Sequence, residues 1–173
     1  PTFYYNDRCE RYSAERKVKK GEDLPDLFAE YEVLLTQPVG PEPPAGAPRV
    51  GVPRGLMFCD YFPLWNGFLR TLGFEVVLSD ETSKRIVQRG KELSAAEPCF
   101  PRKVAHGHVA DVLERDVDLI FYPASYDTGE PEGNWRHTRT CPYIQGAPEV
   151  VGAALGLGSS SQVRYITPRL NFQ

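Results

Sequence analysis

The sequence lacks any apolar run of about 18 residues, the length a membrane-spanning helix needs. It has no large excess of positive charge either: 20 lysines and arginines stand against 23 acidic residues, a formal net charge of −3. Without such an excess there is no overall field that would attract a phosphate backbone. The first residues also lack the basic and apolar regions of a secretory signal. We therefore expect a cytoplasmic protein that binds neither membrane nor nucleic acid.

Cysteine is scarce and widely spaced. The four cysteines stand at positions 9, 59, 99 and 141, and no two form the Cys-x-x-Cys spacing of a zinc ribbon. Cytosolic thiols are kept reduced, so disulfides are the less favoured interpretation. The chain opens on Pro1 and ends directly after a predicted strand, so we expect an excised piece of a longer polypeptide, truncated at its C-terminus.

Three regions differ in composition. Residues 1–36 are predicted to form an N-terminal appendage with one helix, capped by Asp23. Residues 37–48 contain five prolines and two glycines with no apolar period, which is typical of a linker. Residues 49–173 show alternating strand and helix patterns. The sequence therefore predicts an appendage, a linker and one α/β domain.

Within that domain, apolar strand segments alternate with helical periodicity. This alternation is typical of an open, mostly parallel sheet with right-handed crossovers. We predict a three-layer, Rossmann-like α/β fold. The predicted strands are 49–52, 74–78, 117–122 and 163–166, and the predicted helices are 61–72, 82–93, 101–115 and 148–155.

Ligands bind such sheets at the carboxyl ends of the strands. Arg54 follows the first strand there, where it could hold a phosphate or form an ordinary surface ion pair. Cys99 is predicted to stand at or just before a helix N-terminus, where the partial positive charge favours the thiolate that binds metals.

Cys99 and Cys141 both stand beside prolines, in Pro98-Cys99-Phe100-Pro101 and Cys141-Pro142. Proline recurs beside iron–sulfur ligands because it fixes φ and removes a competing donor. The same pattern fits two small buried apolar side chains. Local chemistry leaves both readings open.

His106 and His108 lie two positions apart in a predicted helix, so they cannot face one metal unless the helix breaks at Gly107. A structural role is favoured, and hydrogen bonding near a cofactor or anion is the functional alternative. The polar stretch Asp127–Thr140, which carries Trp135, Arg136, His137 and Arg139, is longer than most loops. It is predicted to be functional or disordered.

Several motifs occur in order within residues 49–150. They are Gly51-Val52-Pro53-Arg54-Gly55-Leu56, Tyr61-Phe62-Pro63-Leu64-Trp65, Leu72–Ser79, Pro98-Cys99-Phe100-Pro101, Lys103 with His106-Gly107-His108, and Cys141-Pro142 with Gln145 and Pro148-Glu149. Together they resemble one family, the domain of unknown function in proteins described as activators of 2-hydroxyglutaryl-CoA dehydratase, or CoA-substrate-specific enzyme activases.

The resemblance implies a specific role. In that family the domain follows an ATPase module of the actin and Hsp70 type in large fusion proteins of anaerobic bacteria, and is similar to dehydratase and double-cubane subunits. Those relatives hold each [4Fe-4S] cluster with three cysteines. Carried over, Cys99 and Cys141 would be metal ligands and the third would lie outside this chain. His106, His108 and Arg54 would surround the cluster.

The implied function is electron transfer through the cluster, driven by ATP bound only to a separate domain of the same or a partner chain. The chain alone is then expected to be inactive. The main alternative is a CoA-thioester or nucleotide binding module without redox metal, using Arg54 and the Trp135–Arg139 loop. A structural spacer and a zinc site of Cys99, Cys141 and a histidine are the remaining readings.

Overall fold

The computed structural model describes residues 25–129, 138–158 and 161–172. The chain divides into two compact units, one reaching Leu34 and the other beginning at Leu35. The predictions for Asp23, Cys9 and the loop residues 130–137 lie outside the described residues.

In the first unit, helix α1 (Leu27–Leu35) begins where Asp26 supplies a cap. Oδ1 of Asp26 accepts hydrogen bonds from the backbone N–H groups of Phe28, at 3.1 Å, and Ala29, at 3.2 Å. Such a carboxylate satisfies donors that have no partner inside the helix. The predicted appendage helix is therefore present, with Asp26 as its described cap.

In the second unit, each predicted strand and helix is found, with ends shifted by up to three residues. The largest shift is at α2, which begins at Phe58 rather than Tyr61. Two short strands, β4 and β6, and a one-turn helix, α5, were not predicted. The bounds are β1 Arg49–Val52, α2 Phe58–Thr71, β2 Glu75–Leu78, α3 Lys84–Leu93, α4 Phe100–Leu113, β3 Leu119–Phe121, β4 Ala124–Asp127, α5 Pro142–Gln145, α6 Ala147–Ala154, β5 Arg164–Ile166 and β6 Arg169–Asn171.

The main sheet has the order β2-β1-β3-β5, and all its pairs are parallel. The chain passes from β1 to β2 on one side and then crosses to β3 on the other. The order therefore reverses between β1 and β3, and this switch point is where open α/β sheets bind ligands. The predicted open parallel sheet is confirmed.

A smaller parallel sheet of β4 and β6 continues from β3 and β5. The backbone N–H of Tyr122 donates to the Ile166 carbonyl at 2.9 Å, and that of Ala124 donates to the Pro168 carbonyl at 2.9 Å. Pro123 has no N–H to donate and interrupts the ladder between them. The pairing of β3 with β5 in the main sheet is thus followed by the pairing of β4 with β6 in the smaller sheet.

Helices cover both faces of the main sheet. On one face Val50 and Val52 pack into a buried cluster with Phe62 and Leu69 of α2. On the other face Ile120 packs with residues of α4 and α6. Successive strand residues point to opposite faces, so a strand buried on both sides reads as a continuous apolar run. The predicted three layers are confirmed.

Helix α3 packs on α4 at very short range. A Cβ on Gly90 would collide with the Lys103 carbonyl, and one on Gly107 would collide with the Ile86 carbonyl. Helix α4 runs unbroken through Gly107. The glycine is thus the site of close helix approach, not of a helix break.

Residues 37–40 lie along α2. Nδ2 of Asn66 donates to the Gln37 carbonyl at 3.0 Å, and a Cβ on Gly67 would lie 3.2 Å from Cγ1 of Val39.

Among the described helices, none has the length and apolar content to cross a membrane.

Candidate functional site

Cys99 and Cys141 have the same local structure. Each is the N-cap of a helix, Cys99 of α4 and Cys141 of α5, with a proline in the first turn. The backbone carbonyl of each accepts the first helical hydrogen bonds, while neither side chain caps its helix. Both residues are exposed and form no disulfide. The interpretation of buried apolar cysteines is therefore wrong for this pair.

A side-chain contact joins the first turns of α4 and α5. The Arg102 guanidinium carbon sits 5.0 Å from the centre of the Tyr143 ring, within the range of a cation–π contact. Arg102 lies three residues after Cys99 and Tyr143 lies two after Cys141. One contact between first turns therefore brings two cysteines, 42 positions apart in the sequence, to the same region.

This region belongs to the carboxyl edge of the sheet. Ala105 of α4 packs against the loop that follows β1, where a Cβ on Gly55 would lie 3.2 Å from the Ala105 Cβ. Since α4 runs from this edge towards the opposite one, where β3 begins, Cys99 lies beyond the carboxyl ends of the strands. The predicted placement of Cys99 at a helix N-terminus is confirmed.

His106 is buried on α4, two turns after Cys99. Its Nδ1 hydrogen bonds to the Arg102 carbonyl at 2.8 Å, and since a carbonyl only accepts, Nδ1 carries the proton. With Arg102 and Pro98 it lines a recess of about 340 Å³ between the α3–α4 connection and α6. His106 therefore holds the first turn of α4, on which Cys99 and Arg102 stand.

His108 belongs to a different environment. Its ring is fully buried, with Nδ1 2.9 Å from Oγ of Ser79 and Nε2 3.0 Å from Oγ1 of Thr82. The pKa of His108 is lowered to about 4, mainly by burial; the charge of Asp111 opposes the shift and that of Arg54 adds to it. The neutral ring donates one hydrogen bond and accepts the other, so both nitrogens are satisfied. His108 joins α4 to the end of β2.

Arg54 is fastened to the same strand end. Its backbone N–H donates to Oγ of Ser79 at 2.9 Å, and its Nε donates to the Ser79 carbonyl at 3.0 Å. The guanidinium carbon lies 5.9 Å from the centre of the Phe58 ring. Arg54 therefore fixes the loop after β1 against β2.

Asp111 completes this region. Its carboxylate is buried and accepts from the backbone N–H of Asp80 at 2.8 Å and from the side chains of Arg85 and Arg115. Burial alone would raise the pKa of Asp111, but these hydrogen bonds outweigh it and hold the pKa below its usual value. The carboxylate is thus ionised and structurally engaged.

Within residues 25–129, 138–158 and 161–172, no three His, Cys, Asp or Glu side chains are grouped so that they could hold a metal ion. The described residues therefore do not form a complete zinc site from Cys99, Cys141 and a histidine. The predicted contributions of Trp135, Arg136 and His137 fall outside the described residues.

Sequence reasoning missed Tyr122, Ser125 and Arg102. The hydroxyls of Tyr122 and Ser125 are buried without a partner among the described residues, and so is Nε of Arg102. A signal was present: Tyr122 ends an apolar strand and Ser125 follows it, at the edge where ligands bind. What the sequence does not show is that their hydroxyls have no partner.

A comparison with family models matches residues 49–173 to the family described as CoA enzyme activase uncharacterised domain. No curated protein and no solved structure matches the chain significantly.

Proposed function

Because the chain belongs to the family described as CoA enzyme activase uncharacterised domain, we propose that it is an electron-transfer module that binds a [4Fe-4S] cluster through Cys99 and Cys141. The observation that best supports this is the contact of Arg102 with Tyr143, since it brings the two cysteine-bearing turns together. Two ligands about 2.3 Å from neighbouring metal centres should have sulfurs within roughly 7 to 8 Å of each other.

The residues present fit part of a cluster site. Two exposed thiols at helix starts are accessible ligands, and their proline-framed backbones are fixed. The described residues offer no third ligand beside them. The proposal therefore takes the third cysteine from outside this chain, as the family resemblance implies, so we expect the chain alone to bind a cluster poorly.

The surroundings of the thiols suit the binding of negative charge. A bound cluster supplies one-electron transfer at a potential set by burial, charge and hydrogen bonds to sulfur. The Arg102 guanidinium, held over Tyr143, places a positive charge between the two turns. His106 holds the carbonyl of the same arginine and so anchors that turn. In this proposal Cys99 and Cys141 bind the cluster. Arg102 offsets the negative charge of the cluster and its thiolates, and His106 positions Arg102.

The proposal also assigns partners. A one-electron reductant would supply the electron, and hydrolysis of ATP on a separate domain, or on a partner chain, would drive its low-potential transfer to this module. The acceptor would be an enzyme that works on CoA substrates, a partnership to which the family description points.

The test is anaerobic reconstitution with iron and sulfide of this chain joined to the polypeptide that provides the third ligand. We expect a [4Fe-4S] spectrum that is lost in the double variant Cys99→Ser with Cys141→Ser. Cys59→Ser is the matched control, because Cys59 is also exposed but lies on α2. Iron content and absorbance unchanged in the double variant would refute the proposal.

A further inference from the structure

A second feature of the carboxyl edge is a pocket at the switch point between β1 and β3. The loop after β1 contributes Pro53 and Gly55, and the segment after β3 contributes Tyr122 and Ser125. The space open to the centres of water-sized groups measures about 30 Å³, and the whole recess with its opening to solvent about 440 Å³. The topology of the sheet therefore creates a cavity where open α/β folds bind their ligands.

Two hydroxyl groups at this pocket have no hydrogen-bond partner in the part of the chain that the structure describes. Tyr122 is 5% exposed and Ser125 is 1% exposed, and neither Oη of Tyr122 nor Oγ of Ser125 has a hydrogen-bond partner among the described residues. A Cβ on Gly55 would lie 3.8 Å from Oη of Tyr122, so that oxygen lies beside the pocket-lining loop. Buried polar groups are nearly always paired, so two at one cavity indicate a ligand that pairs them.

The chemistry of the pocket restricts what that ligand is. None of its lining residues is charged, and most are apolar or aromatic, including Phe58 and Trp65. A carboxylate there would lose its hydration, and no residue of the lining itself carries a charge to compensate it. Burial raises the pKa of Tyr122 and outweighs the opposing charge of Arg102, which acts from outside the lining, so the phenol stays protonated and able to donate. A carbonyl oxygen has two lone pairs and can accept from two hydroxyls at once.

We propose that this pocket binds a small neutral carbonyl compound, such as a ketone, ester or amide. Its oxygen accepts hydrogen bonds from Tyr122 and Ser125, and its apolar substituents lie against Phe58 and Trp65. The space open to water-sized groups, about 30 Å³, has room for about two of them. The carbonyl group of the ligand and its neighbouring carbon therefore fit inside, and the rest of the ligand lies at the opening. This binding does not depend on a cluster at Cys99 and Cys141.

The experiment titrates the 173-residue chain with 2-butanone and with propionamide, following the indole N–H resonance of Trp65 by NMR. The chain has two tryptophans, so one spectrum of Trp65→Phe assigns the signal. We expect a saturable shift with both probes. Tyr122→Phe and Ser125→Ala should each weaken binding by about tenfold, the effect of losing one hydrogen bond.

Two controls sharpen the result. Propionate has the same number of non-hydrogen atoms as 2-butanone but carries a charge, and it should bind at least tenfold more weakly. Tyr126→Phe removes the hydroxyl of a tyrosine that does not line this pocket. This variant should bind 2-butanone and propionamide with the affinity of the wild type. The dispersed indole signal verifies that each variant is folded.

Three results would overturn the proposal. One is a shift that does not saturate with either neutral probe, which would mean that only water pairs the two hydroxyls. Another is equal affinity in the double variant Tyr122→Phe with Ser125→Ala. The third is propionate binding as tightly as 2-butanone, which would assign the pocket to anions.

Discussion

Two parts of the carboxyl edge differ in whether their buried polar side chains have hydrogen-bond partners. Beside β2, Ser79, His108 and Asp111 are buried and their polar side-chain atoms are hydrogen bonded. Beside β1 and β3, Tyr122 and Ser125 are equally buried but their hydroxyls have no partner among the described residues. The first part is a hydrogen-bonded network and the second is a pocket.

The difference indicates that the network has a structural role and the pocket a binding role. A satisfied buried network fixes one arrangement of the elements that it joins, here α4, the end of β2 and the loop of Arg54. A buried group without a partner costs free energy unless a ligand supplies one. The network therefore holds the edge in place, while the pocket and the nearby thiols are available for binding.

The largest effect is expected where the network side is packed most tightly. Gly107→Ala should lower the free energy of unfolding by about 3 kcal/mol or more, because the new Cβ collides with the Ile86 carbonyl and forces α3 from α4. Chemical denaturation followed by circular dichroism measures this loss.

Gly146→Ala is the matched control for that substitution. Its added Cβ would meet only the Pro142 carbonyl, at an ordinary 3.6 Å, so we expect a change of about 0.5 kcal/mol or less. A Gly107→Ala protein as stable as the control would show that the α3–α4 contact is looser than described.

The next effect is a dependence of stability on pH through His108. Its pKa is about 4 in the folded protein and about 6.5 in an unfolded chain. Below pH 6.5 the histidine is protonated in the unfolded state but stays neutral in the folded state. The contribution of His108 to the free energy of unfolding is therefore fully present above pH 6.5 and decreases as the pH falls towards 4. The loss should be on the order of 3 kcal/mol between pH 7 and pH 4.

His108→Gln should be less stable at pH 7 but should lack this part of the pH dependence, because glutamine does not titrate. The difference between the two proteins isolates His108 from the carboxylates that titrate in both. His106→Gln serves as control and should keep the wild-type dependence on His108. Parallel stability curves for wild type and His108→Gln would contradict this role.

A smaller effect compares two buried serines directly. Ser79→Ala should lower the free energy of unfolding by about 2 kcal/mol, because the Arg54 N–H and a nitrogen of His108 lose their partner. Ser125→Ala should be neutral or stabilising by up to about 1 kcal/mol, because its hydroxyl has no partner to lose. Thermal unfolding of the two variants gives both values, and equal losses would remove the distinction between network and pocket.

The sequence predicted the main sheet well because its strands are apolar runs and its helices have clear periods. It did not predict β4 or β6, since Ala124–Asp127 mixes polar and apolar residues and its parallel partner strand lies over 40 positions away. Helix α5 has four residues, too few for a period. Short elements that depend on tertiary pairing leave little local signal.

For the site, the residue types could be predicted from the sequence but their partners could not. Cys99 was predicted at a helix start from its prolines, and that placement is confirmed. The pairing of His108 with Ser79 joins positions 29 apart, and the unpaired state of Tyr122 depends on everything packed around it. Such properties arise only when the chain is folded.

The central claim is that Cys99 and Cys141 share one site, and bridging them with a bifunctional thiol reagent tests it most directly. In a Cys9→Ser, Cys59→Ser background only these two thiols remain, and dibromobimane, whose arms link thiols a few ångström apart, becomes fluorescent when both react. We predict one intramolecular bridge per chain, located by mass spectrometry and abolished by Cys99→Ser or Cys141→Ser. Two thiols that each react with a monofunctional reagent but never form the bridge would contradict the claim.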